Sequence, residues 1–346
     1  MVYVSSPSIT QISRQNVQQI QTKLSDVQAE LASSVYADVG LTLGARSSQL
    51  VALQQQQGSL TTYQDNNTLA ATRLSSTVTS LDAIRTAAST FLSALTTASS
   101  SGGLTTSLQT NASSSLAAMT AALNISVSGQ YIFAGINSGV QPMTSYTSTS
   151  ANKTAIDTAF STQFSFPQTS ASASGISGTD MQSFLDGSFA SMFSATTFNT
   201  NWSSASDTAM QSEIMPNQTI DTSVSANATP FRQLAQAYSM VTEFGGTNFS
   251  SAAGAAVIKT AMGLVSGAVT NLTTLQAGVG ITQTAITDAN TTLTAQGDVI
   301  ATQIDAMAGV DQTELSTRLA ALQTQLNATY SVTAQLQKLS LVNYLS

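Results

Sequence analysis

The stretch DQTELSTRLAALQTQLNATYSVTAQLQKLSLVNYLS, residues Asp311 to Ser346, decides the fold. Leu315, Leu319, Leu322 and Leu326 step by 4, 3 and 4 residues, which places them on one stripe of an α-helix. Val332, Leu336 and Leu339 continue the stripe with a slight drift in phase, and Leu341, Tyr344 and Leu345 give it an apolar end. Neither Pro nor Gly interrupts the stretch. At the rise of an α-helix it spans about 50 Å, longer than a small domain is wide. A single helix of that length cannot bury its own stripe, so the pattern calls for a partner helix.

The opposite end of the chain offers one. Val17, Ile20, Leu24, Val27 and Leu31 step by 3, 4, 3 and 4 residues, a strict heptad seam. The faces between are Gln, Ser and Thr, with Arg14, Lys23, Asp26 and Glu30 as the charges. An ordinary bundle whose ends pair would show the same seams. The sharper reading makes both terminal helices assembly elements, buried when many copies come together. On that reading Val17, Ile20, Leu24, Val27, Leu31, Leu315, Leu319, Leu322, Leu326, Leu336, Leu339, Leu341, Tyr344 and Leu345 are the candidate assembly residues.

Composition narrows the function classes. A chain of 346 residues exceeds one compact core and suggests two or three domains. Hydrophobic residues make up 42%, enough for a core, but charged residues only 8%, against a usual share of about 25%. Ser, Thr, Gln and Asn must therefore supply the polar surface. The net charge of −7, with no basic cluster, argues against nucleic acid and against anionic membranes as partners. Cys and His are both absent, which removes disulfides, thiol nucleophiles, the usual zinc sites and the commonest general base. The start, MVYVSSPSITQISRQ, lacks the basic region and apolar core of a secretory signal peptide, and no run of 18 apolar residues predicts a transmembrane helix.

Between the ends, Gly40 and Gly44 mark residues 36–46 as a bent linker. A second helix is expected from Ser47 to about Ser99. Its 3-4 seam runs through Leu50, Leu53, Gln57, Leu60, Gln64, Asn67, Ala71, Leu74, Val78, Leu81, Arg85, Ala88, Leu92 and Leu95. The seam turns polar from Gln57 to Asn67, which reads as a wet or inter-subunit middle, or as a helix changing faces. A turn at 99–103 leads to a third helix, about 104–127, and Tyr131, Ile132 and Phe133 between Gly129 and Gly135 read as a short strand or hairpin. Residues 144–230 are Ser- and Thr-rich with scattered Phe and Trp202 and no sustained helical period, so short strands are expected there. Helix returns at Pro230 with Phe231, Leu234, Tyr238 and Val241 on its stripe, and Gly245-Gly246 ends it. A long helix over about 251–306 follows, marked by Val257, Leu264, Leu272, Leu275, Val279, Ile286, Leu293, Ile300 and Ile304, before a break at 307–312.

The order is nested, each half mirroring the other. The expected fold is mainly α, with long terminal coiled-coil helices, an inner helical bundle and a central β-rich inserted domain. Residues 1–40 plus 307–346 form the terminal assembly domain. Residues 41–143 plus 231–306 form an inner helical rod with a short β-hairpin, and 144–230 form a variable outer domain.

Motifs for chemistry are few. Ser150 and Lys153 match the S-x-x-K pattern of serine acyl-enzymes, but no S-D-N or K-T-G element follows, so the match reads as chance. Asp180 and Asp186 read as solvated carboxylates. Asp305, Asp311 and Glu314 cluster at the last break, where Asp311 is a helix N-cap with Glu314 three residues on. Neither a P-loop nor a dinucleotide fingerprint occurs, so no catalytic, cofactor or metal residue is assigned. A binding module or enzyme built on the insert would use the aromatics of Phe184–Trp202 to stack on sugars. That reading requires an exposed Trp202 in a pocket; a packed Trp202 makes the same aromatics a core.

The nested order, the coiled-coil ends, the missing Cys and the charge-poor surface resemble the bacterial flagellin superfamily. Within it the chain is most similar to the hook–filament junction group, the third hook-associated proteins. The residues carrying that likeness are Leu339-Ser340-Leu341-Val342-Asn343-Tyr344-Leu345, the preceding Leu319 to Tyr330, and Gly129-Gln130-Tyr131-Ile132-Phe133-Ala134-Gly135. It covers about 1–143 and 231–346. One segment departs: the family's G-x-R-I/V followed by a D-D pair is replaced by Ser33–Arg46, where only Asp38 and Arg46 match. The alternative of a flagellin that builds the filament itself therefore stays open. The resemblance implies a structural, non-enzymatic subunit without cofactors, exported largely unfolded by the flagellar type III route without a cleaved signal peptide. It implies an extracellular place in the flagellum. It also implies terminal helices that are floppy in the monomer and pack into concentric tubes on assembly. The implied partners are copies of the chain itself, neighbouring hook-associated and flagellin subunits, and an export chaperone, with neither nucleic acid nor membrane among them.

Overall fold

The computed structural model describes residues 6–101, 103–246 and 248–345, and the side chains of those between 11 and 335. Helix takes 74% of the chain, so the fold is mainly α as the periodicities predict. Ten helices follow in the described order: α1 Ser6–Ser33, α2 Val39–Leu43, α3 Ser47–Ser101, α4 Thr106–Leu123, α5 Ala151–Phe164, α6 Gly178–Phe184, α7 Phe198–Asn201, α8 Thr229–Phe244, α9 Ser251–Ala308 and α10 Gln312–Leu345. The strands are β1 Ser126–Val127, β2 Gln130–Tyr131, β3 Gln211–Met215 and β4 Gln218–Asp221, forming two antiparallel hairpins.

The chain forms two compact units. Unit 1 holds residues 1–62 and 292–346, and unit 2 holds 63–291. Helices α3 and α9 contribute to both.

Unit 2 is built on α8. Pro230 opens this helix, where its missing N–H costs nothing. Phe231, Leu234, Tyr238, Val241 and Phe244 are all buried, so α8 is a core helix packed chiefly against α4. It stops at Gly245, where any Cβ would lie 2.2 Å from the carbonyl oxygen of Val241. The seam of α3 is buried at each seventh residue through Leu60, Asn67, Leu74, Leu81, Ala88 and Leu95. The helix therefore keeps one face throughout; in the polar middle Gln57 and Gln64 are half-buried, and Asn67 makes a buried polar contact. Asn67 Nδ2 donates to the carbonyl of Ile214 at 2.9 Å and to Asn290 Oδ1 at 2.8 Å. On α9 the same step buries Leu272, Val279, Ile286, Leu293 and Ile300. An 18-residue window of α9 reaches a mean hydropathy of 1.5, long and apolar enough to cross a membrane; in unit 2 its Val257, Ala261, Val265, Ala268 and Leu272 join the core.

The hairpin β1–β2 turns through Ser128 and Gly129, both with positive φ, the twist a two-residue hairpin prefers. Ile132, Phe133 and Ala134 follow it into the core. Gly135 is required: at φ +61° its Cβ would lie 2.6 Å from the carbonyl oxygens of Ser206 and Thr208.

Residues 144–230 depart from the β-rich expectation. They hold α5, α6, α7 and only the hairpin β3–β4. With 7 and 4 residues, α6 and α7 are too short to display a helical period. Their Ser and Thr act as caps, as where Ser177 Oγ accepts from the amide of Asp180 at 3.1 Å. Their aromatics do not form a separate core. Phe160, Phe184 and Phe189 each pack on Phe244 of α8, with ring centroids 5.5 Å apart.

Candidate assembly interface

Unit 1 contains the paired terminal helices. α1 and α10 run antiparallel, fixed at one end by backbone bonds from Tyr36 N to Ala308 O and from Val310 N to Ser34 O, each 3.2 Å. Further along, Gln21 Nε2 donates to Tyr330 Oη at 3.0 Å. Between these points Ile20, Val27, Leu315 and Leu322 are buried, while Leu24, Leu31, Leu319 and Leu326 pack against them half-buried. Val17 is half-buried as well. A second, smaller cluster of Leu43, Leu50 and Ala308 sits at the base.

The seam is thus covered on one side only. In each helix one heptad position is closed and the alternate position faces partly outward. Leu336, Leu339, Leu341, Tyr344 and Leu345 lie outside the residues whose side chains are described. Val332 does not continue the stripe: it is 53% exposed, and the half-buried positions after Leu326 are Thr329 and Thr333. Ile12 on α1 is also off the seam and 54% exposed. The helical period explains both, because a strict 3-4 step from Leu326 leads to Thr329 and Thr333 rather than to Val332. Among the described residues no ion pair joins α1 to α10, so the pairing rests on the apolar seam and the Gln21–Tyr330 hydrogen bond.

The break before α10 is well ordered by its own chemistry. Asp311 Oδ1 accepts from the amides of Thr313 at 2.7 Å and Glu314 at 3.3 Å, which makes it the N-cap. The bonds from those two backbone amides hold its carboxyl below the usual value. Val35 pairs with Gly309 in an isolated antiparallel bridge, a clamp between the two breaks. Sequence periodicity carries no signal for it, because the contact is made by backbone. The linker at 36–46 is a capped turn of helix: Asp38 Oδ1 accepts from Leu41 N at 2.8 Å, Leu43 is buried and Leu41 is 84% exposed.

The residues considered for chemistry are structural. Lys153 does not serve Ser150: its Nζ bonds Asp157 at 2.6 Å and Glu243 at 2.9 Å. Burial opposes its charge, but the bonds to Asp157 and Glu243 outweigh that and raise its pKa. Tyr146 Oη donates to Glu243 Oε1 at 2.8 Å, and burial, then the Glu243 charge, push its pKa up. Asp180 accepts from Ser177 Oγ and Asp186 from Gln182, so the two do not form a pair. Trp202 is 1% exposed and stacked against Tyr146 and Phe198 at 5.4 and 6.0 Å. It belongs to a core and not to a sugar platform. Among the described residues no acidic cluster could hold a metal ion.

Two family models match the two ends of the chain and leave residues 139–261 unmatched. The N-terminal helical region of bacterial flagellin matches residues 4–138, and its C-terminal helical region matches 262–345. The chain belongs to the bacterial flagellin family. Flagellin-family proteins are structural subunits of the bacterial flagellum, not enzymes, and they self-polymerise. A solved structure from Vibrio parahaemolyticus, described as a candidate flagellar hook-associated protein, aligns over 76% of this flagellin-family chain and 98% of its own length, at 12% identity and a TM-score of 0.46. No curated protein matches the chain.

Proposed function

We propose that this flagellin-family subunit is a hook-associated protein that joins the hook to the filament and polymerises through α1 and α10. The half-covered seam carries the reading. A two-helix pair that buries Ile20, Val27, Leu315 and Leu322 but leaves Leu24, Leu31, Leu319 and Leu326 partly open has apolar surface to give to neighbouring copies. The junction role is supported by the resemblance of Leu339–Leu345 and Gly129–Gly135 to the junction group. Residues 1–40 and 307–346 then make the assembly layer, 41–143 and 231–306 the rod, and 144–230 the outward part. Its partners are further copies, adjoining hook-associated and flagellin subunits, and an export chaperone that covers the terminal stripes before export.

The second reading is a flagellin that builds the filament, and the Ser33–Arg46 segment favours it. Electron microscopy of the purified protein with short filament seeds and isolated hooks separates the two. A thin layer on hook ends without filament growth supports the junction adaptor. Long growth from seeds supports the filament subunit and overturns the junction role. Binding to neither overturns both.

A further inference from the structure

Arg73, on α3 in unit 2, has neutral company. Its Nη1 donates to Met210 Sδ at 3.0 Å and its Nη2 to Gln130 Oε1. Its Nε is buried without a protein acceptor. The ion pairs of the described residues are Arg85 with Asp82 and Lys153 with Asp157 and Glu243, so Arg73 pairs with no described carboxylate. A thioether is a weak acceptor, and an unmet buried donor on a cation costs free energy that a counter-charge recovers.

Arg73 also walls a small, partly open cavity of about 10 Å³, together with Gln130, Tyr131, Met210, Thr222 and Ser223. No carboxylate lines it. Ser223 Oγ accepts from the amide of Met210 at 2.7 Å, which leaves its own proton as a second donor. The space suits one species near the size of water. Carboxylate and phosphate groups are too large. Met210, unbranched and adaptable, is the wall that yields to a slightly bigger ion.

We propose that this cavity binds one monovalent halide ion, chloride in ordinary media, against Arg73 and Ser223. The ion neutralises the guanidinium at the point where α3 meets β2 through Gln130 and the approach to β3 through Met210. Unit 2 therefore responds to which anion is present and not only to ionic strength.

The test is thermal unfolding of the full chain in sodium chloride and in sodium gluconate at matched ionic strength, gluconate being too large for the cavity. The melting temperature is expected to rise in chloride by about 2–4 °C at tenfold excess over the dissociation constant, and to saturate. Arg73→Gln should abolish the difference, whereas Arg85→Gln, whose parent pairs with Asp82 at the surface, should keep it. Should Arg73→Gln fail to fold, crystals of the unaltered protein soaked in bromide decide. An anomalous peak beside Arg73 supports the site. Equal melting in both salts, or water alone beside Arg73, overturns it.

Discussion

Asp311 accepts two backbone amides at the start of α10 and so keeps its charge to lower pH than an ordinary carboxylate. Its folded pKa lies below the unfolded 3.8, so the cap stabilises above that value and is lost as pH falls through the depressed one. Titration into acid should move the amide NMR signals of Thr313 and Glu314 together. Asp311→Asn should keep the cap and lose that titration, and Asp311→Ala should fray the first turn. This role was legible from spacing alone, since an N-cap needs only its own next three residues. Phe244 was legible only in part. It is a buried residue at the end of a readable helix, with Phe249 close by in the chain, but Phe160, Phe184 and Phe189 reach it from distant sequence. Phe244→Ala should lower the stability of unit 2 by about 3–5 kcal/mol in urea unfolding, the usual cost of an emptied aromatic site. A loss below 1 kcal/mol would mean that the insert does not share this core.

The long helices show where periodicity suffices. α3 and α9 keep their heptads over their whole lengths, and the polar step at Asn67 is resolved by Asn290 and Ile214, partners no local pattern names. Gly263 lies exposed within α9, with nothing within 4 Å of an added Cβ. Gly263→Ala should therefore raise the stability of unit 2 by about 0.5–1 kcal/mol, read by urea unfolding. A destabilised variant would show that the position is not open. In unit 1, Leu322→Asp places a charge in the apolar seam between α1 and α10. Incorporation into flagellar structures should be lost while the urea midpoint of unit 2 stays unchanged. Normal incorporation would remove the seam from the assembly mechanism. The short helices α6 and α7 were not legible, because each offers one buried aromatic and too few turns to repeat, and α5 was missed because its short buried face, Asn152, Ile156 and Phe160, begins on a polar residue.

Across the molecule, the buried Tyr238, the half-buried Tyr146 and one lysine set an alkaline limit. Burial raises Tyr238 above 10.0, and burial with the Glu243 charge does the same to Tyr146. The unfolded chain ionises first, so stability falls as pH climbs past 10.0. Lys153, also raised, adds stability below 10.5 that is lost as pH rises through its folded value. The phenolate absorbance of Tyr146 and Tyr238 should therefore appear only with loss of the Trp202 fluorescence of the folded state. Earlier ionisation would contradict the burial of Tyr238 and the Glu243 contact of Tyr146. Amino-acid pattern alone settled the mainly α class, the paired ends and the absence of familiar catalytic motifs, because helical periodicity and residue chemistry are local quantities. Tertiary structure decided that the insert holds more helix than strand and shares one core with α8, that Trp202 is packed, and that the terminal seam closes on one side only. Those outcomes depend on side chains far apart in the chain competing for the same buried volume, and no local pattern records who wins it.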